Sequence, residues 1–230
     1  MNIFSKSVYA AVAAVFLVAA PATAATLNVT QQNSTWAYRD ASGDSSTVRS
    51  ESISYSIGGT AYSSWAGAFR LTGTSQSGAV QDFLAFCLQP LEGWRLGEFS
   101  VGTNLSQSVV GKLGALMTNA ASLITNRATG AAFQIAVWEI VSETSGAYNL
   151  NNGVFRLTAS STNAASTAQS WLNNLNTGAW TSNTNPVILT RARTQDLLTT
   201  IAPVPLPAAG VMLLGGLAGM FGLRRRRKQA

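Results

Sequence analysis

The chain reads as an α+β protein, an antiparallel β-barrel or sandwich with a packed three-helix subdomain. Apolar residues alternate with polar ones through the first half, then recur every three or four residues through the second. A short apolar strand, Pro186-Val187-Ile188-Leu189-Thr190, follows the last helical stretch.

In SISYSI, Ile53, Tyr55 and Ile57 alternate with serines, the pattern of a half-buried strand. Gly58-Gly59 marks a turn, and YSSWAGAFRL reads as the next strand. In VQDFLAFCLQP, Phe83, Ala85 and Cys87 share one face, while Leu84, Phe86 and Leu88 share the other. Both faces are apolar, which predicts a strand covered on two sides and ended by Pro90.

From Ser106 to Asn126, Val109, Val110, Leu113, Leu116, Met117, Ala120, Leu123 and Ile124 form one helical face, with Ser106 or Ser108 as the cap. A second helix is expected from Gly130 to Glu143, capped by Thr129. A third, from Ser161 to Asn176, buries Ala165, Ala168, Trp171, Leu172 and Leu175, with Gly178 just past its end. Residues 25–190 make up one domain, and 191–203 read as a short linker.

Both ends of the chain are legible. Lys6, the apolar run Val8 to Ala20 and Ala22-Thr23-Ala24 compose a signal peptide over residues 1–24. At the other end, residues 204–228 hold Val204-Pro205-Leu206-Pro207-Ala208, an uncharged apolar run to Leu223, and the basic cluster Arg224, Arg225, Arg226, Arg227 and Lys228. The apolar run is long enough for a spanning helix, and the cluster is expected to stay cytoplasmic. This tripartite tail resembles the VPLPA variant of the PEP-CTERM sorting signal of Gram-negative bacteria. The resemblance implies an inner-membrane intermediate, an exosortase-type membrane peptidase as partner, and a destination at the cell surface or in the extracellular matrix.

The net charge of +6 and the pI near 10 invite a nucleic-acid reading, which the ends remove. Of 15 Lys and Arg, one lies in the signal peptide and five in the tail, leaving nine against nine Asp and Glu. The remaining basic residues are scattered, so little counterion release is available, and nucleic acid is discarded as a partner.

The chain has no histidine and one cysteine, which excludes Ser-His-Asp and Cys-His catalysis and zinc sites of nitrogen and sulfur ligands. No phosphate loop appears, and the carboxylates show no glycosidase-like pairing. No cofactor or metal is expected. A lone thiol in an exported chain still requires an explanation. In AAFQIAVWEI, Gln134 and Trp138 share a helix face, and Gln134 sits in an apolar run. A buried amide must be satisfied, most simply by a neighbouring backbone.

Phe86-Cys87-Leu88 and Phe133-Gln134-Ile135-Ala136-Val137-Trp138 resemble the two signatures of bacterial thioester domains, found in surface adhesins. The segment Tyr148 to Phe155 is similar to the loop after their glutamine helix. The resemblance implies an internal thioester between Cys87 and Gln134, shielded by Trp138. It also implies covalent capture of a surface or matrix nucleophile such as a lysine amine, in a single-use reaction rather than as an enzyme. Gln89 stands where the family usually carries an acid, with Glu92 three residues on. Glu139 is a weak choice of base, read as a charge on the solvated helix face. The alternative function is a non-covalent component of the envelope or biofilm matrix, with Cys87 a buried small hydrophobe.

Overall fold

The computed structural model describes residues 25–32, 50–143, 147–182 and 185–199. The expected signal peptide, residues 1–24, and sorting tail, residues 204–228, lie outside the described residues. Among the described residues no helix is long and apolar enough to cross a membrane.

Nine strands and three α-helices make up the described fold, which is α+β with a barrel. The strands are β1 (Thr26–Gln32), β2 (Ser50–Ile57), β3 (Thr60–Gly67), β4 (Phe69–Ser75), β5 (Val80–Cys87), β6 (Gly97–Val101), β7 (Phe155–Ser160), β8 (Val187–Thr190) and β9 (Leu197–Thr199). Six of them close an antiparallel barrel in the order β1-β4-β5-β9-β8-β6, and the other three form a sheet ordered β3-β2-β7. Buried Leu27, Val29, Leu71, Phe83, Ala85, Phe99, Leu189 and Leu198 come from all six barrel strands.

Gly58 and Gly59, at φ 57° and 88°, turn β2 into β3 through a two-residue hairpin that requires left-handed backbone at both positions. The expected single strand YSSWAGAFRL is instead two. Ala68 separates β3, in the three-stranded sheet, from β4, in the barrel. One continuous β-rich sequence therefore serves two sheets.

Three helices follow: α1 (Gln107–Ala120), α2 (Arg127–Ser142) and α3 (Ala164–Asn176). Ser106 caps α1 by accepting the Val109 N–H at 3.4 Å. The expected continuation to Asn126 is broken by a 3-10 turn, Ala121–Leu123, after which Ile124 leaves helical backbone. The second helix starts three residues before the expected Gly130. Asn126 accepts the Thr129 N–H at 3.0 Å, and the Thr129 hydroxyl accepts the Asn126 N–H at 3.1 Å. Thr129 is thus part of a reciprocal capping box rather than the cap itself. Helix α3 begins later than Ser161 because Ser161 and Thr162 give their N–H groups to the buried Glu51 carboxylate of β2, at 2.5 and 2.9 Å.

Residues Gly130 to Ile140 of α2 are all buried, so this helix is the axis of the fold. It touches α1, α3, β2, β3, β5 and β7. The expected linker over 191–203 is corrected in its first part. There β9 completes the barrel, and Thr194, Leu197, Leu198 and Thr199 are buried.

Candidate functional site

Cys87 is the last residue of β5, opposite Leu197 of β9. The next backbone N–H, that of Leu88, donates to the Asp196 carbonyl at 2.9 Å on the β9 side. Backbone groups alternate sides along a strand, so the N–H and C=O of Cys87 face the β4 side. There the ladder has run out, since the β4–β5 pairing ends at Phe69 and Ala85.

The side chain of Gln134 fills that gap. The Cys87 N–H donates to Gln134 Oε1 at 2.9 Å, and Gln134 Nε2 donates to the Cys87 carbonyl at 2.7 Å. A carboxamide offers one acceptor and a donor in one plane, as a peptide group does. Gln134 thus acts as a one-residue extension of the missing strand, delivered from α2. Only 1% of Gln134 and 4% of Cys87 are exposed. Burial pushes the Cys87 thiol well above its ordinary range, so it is neutral in this state.

The structure therefore brings together the two residues singled out from the sequence, together with their aromatic neighbours. Phe86 and Phe133, each adjacent to one member of the pair, pack with ring centroids 4.3 Å apart. Phe133 meets Trp171 of α3 edge-on at 6.4 Å. Leu88 and Ala136 are buried.

Trp138, one turn on from Gln134, packs among aromatic rings. Its ring contacts are with Tyr55 and Phe155 of the three-stranded sheet, at 5.7 and 6.5 Å, and its Nε1 has no hydrogen-bond partner among the described residues. Trp138 still connects indirectly to the site, because the Tyr55 hydroxyl donates to the Pro90 carbonyl, three residues past Cys87.

Beyond the strand end, Gln89 Nε2 donates to Asp196 Oδ2 at 2.9 Å, and the Asp196 N–H donates to Gln89 Oε1 at 2.6 Å. The Arg191 N–H adds a bond to Asp196 Oδ1 at 3.2 Å. A carboxylate thus stands beside Gln89 after all, contributed by the residue just before β9 and not by the cysteine segment. Sequence reading missed Asp196 because it lies in the stretch taken for a linker. Glu92 is exposed.

Glu139 overturns the expectation of a solvated charge. It is fully buried, and Oε1 accepts the Asn149 N–H at 2.6 Å. Burial raises its carboxyl to about 7; the Asn149 bond opposes the rise and the nearby Glu143 adds to it. Its Oε2 has no hydrogen-bond partner among the described residues. One turn on, Glu143 accepts the N–H groups of Val154 and Phe155 at 2.5 and 3.0 Å. These two acids fasten the 147–155 segment to the helix that carries Gln134. Asn176 pairs with both backbone groups of Tyr148 at 2.9 Å each, repeating the device that Gln134 uses on Cys87.

Among the described residues no cluster of His, Cys, Asp and Glu is arranged to hold a metal ion. Chemically, the site offers a thiol and a carboxamide in a dry enclosure, with each polar atom of the amide already oriented. No family model, curated protein or solved structure matches the chain.

Proposed function

We propose that this is an exported surface protein whose Cys87 and Gln134 close into an internal thioester that attaches the protein covalently to a surface or matrix nucleophile. One observation carries the reading. The single cysteine of the chain meets a buried glutamine amide, 47 residues away in sequence, through two hydrogen bonds of 2.9 and 2.7 Å. Holding a thiol against an amide replaces a bimolecular encounter by an effective concentration of order 10⁵ M or more. Closure joins Cys87 Sγ to Gln134 Cδ and releases ammonia. The product is an activated acyl group that a nucleophile such as a lysine amine opens once. The sorting motif Val204 to Ala208 and the basic cluster Arg224 to Lys228 support export through an exosortase-type membrane peptidase.

The same two bonds favour a second reading, a non-covalent structural component of the envelope or matrix. They already satisfy Gln134 and the end of β5 without any covalent step. Intact mass separates the two. The thioester reading expects the purified protein to be lighter than its sequence by one ammonia and blocked to thiol reagents. Methylamine should then add to it, and a Cys87→Ala variant should have full mass. A parent of full mass with a labelled thiol after unfolding would establish the structural reading instead.

A further inference from the structure

We infer that the backbone of Cys87 is itself the catalytic apparatus for closing the bond: its N–H stabilises the oxyanion, and its C=O receives the leaving nitrogen. This rests on the thioester reading above and assigns the groups that drive it. Attack of Sγ on Cδ moves the carbonyl electrons of Gln134 onto Oε1. The Cys87 N–H already points at that oxygen from 2.9 Å. It does so in a site from which water is excluded, where a preoriented donor has its largest effect on a developing charge.

The second bond serves the other half of the reaction. Nε2 donates to the Cys87 carbonyl at 2.7 Å. As the tetrahedral intermediate forms, Nε2 takes the proton released by the thiol and gains positive charge, so its bond to the carbonyl becomes charge-assisted and stronger. The Sγ–H and Cδ–Nε2 bonds break, the Sγ–Cδ bond forms, and nitrogen leaves as ammonia with the thiol proton. No electron is gained or lost overall, and no outside base is consumed. This fits a chain without a histidine.

The geometry of these groups is fixed by the strand. Cys87 is anchored on its far side by the Leu88–Asp196 bond and by the paired Gln89 and Asp196 side chains. The oxyanion donor and the leaving-group acceptor are the backbone groups of the residue that carries the nucleophile, so the strand positions both. Helix α2 has only to present the amide.

The test replaces the backbone N–H of Cys87 by an ester oxygen in the full chain, purified in detergent, leaving the thiol and every side chain in place. After refolding from denaturant, ammonia loss is followed by intact mass, and folding by tryptophan fluorescence. The expected result is a folded protein that loses ammonia about 10²- to 10³-fold more slowly than the parent. Loss at the parental rate would overturn the assignment. If the ester protein does not fold, the parent labelled with ¹³C at glutamine side-chain carbonyls provides a second reading. Its thioester carbonyl band in the folded protein should lie at lower frequency than that of an alkyl thioester in hydrocarbon solvent, and a band at the hydrocarbon value would overturn the inference. A parent that never loses ammonia defeats the thioester reading itself, and this inference with it.

Discussion

Replacing Glu139 by Gln tests whether one buried carboxyl sets the pH dependence of stability. In the folded chain this group titrates at about 7, against an ordinary value of 4.5. Between those values the folded state retains a proton that the unfolded state has released, so stability falls as pH rises through that window. At about 1.36 kcal/mol per unit, the interval sets a ceiling of roughly 3 kcal/mol. Glu139→Gln keeps an acceptor for the Asn149 N–H and removes the titration. Urea unfolding from about pH 4.5 to about pH 7.5 should show the parent losing that stability and the variant losing almost none. Parent and variant curves of equal slope would refute the assignment of a buried, raised carboxyl at this position.

The remaining predictions concern groups that satisfy buried backbone. In a Cys87→Ala background, which removes any thioester, Gln134→Ala orphans both backbone groups of residue 87 and should cost about 2–5 kcal/mol in urea melts. Glu51 is held below its ordinary pKa; burial alone would raise it, but bonds from Ser160, Thr162 and Ser161 outweigh that. Its stabilisation is therefore present above pH 4.5 and lost as pH falls through the lower folded value, an acid limb that Glu51→Gln should remove from the melting curve. Gly153 has φ 114°, and a Cβ there would run into the Glu143 carboxylate, so Gly153→Ala should lower stability by about 1–3 kcal/mol by thermal melting.

What the sequence disclosed follows from how each element is covered. Strand β5 was legible because barrel and helix bury both of its faces, leaving an uninterrupted apolar run from Phe83 to Leu88. The serine-alternating β2 was legible for the opposite reason. Strands β1, β6 and β7 offer only one or two deeply buried side chains each, among them Leu27, Phe99 and Phe155, too few to establish a period. Strand β9 has three residues and takes its identity from pairing with β5 and β8, which no local pattern records. In the site, Cys87 and Gln134 were found because each is a chemical exception in its segment. Glu139 was misjudged because a charge on a helix is usually solvated, whereas α2 has no solvated face between Gly130 and Ile140.

The position of β9 has a mechanical consequence. Tension applied to the chain beyond residue 199 enters the domain through this strand, whose three pairs with β5 are Thr199 to Ala85, Leu198 to Phe86 and Leu197 to Cys87. Interstrand bonds in an antiparallel pair run across the strands, so a pull along β9 shears them together rather than peeling them one by one. The force then arrives at Cys87, the point where β5 is tied to α2. A protein held at its C-terminal side would transmit strain directly to Cys87 and Gln134, the pair on which the proposed attachment chemistry depends.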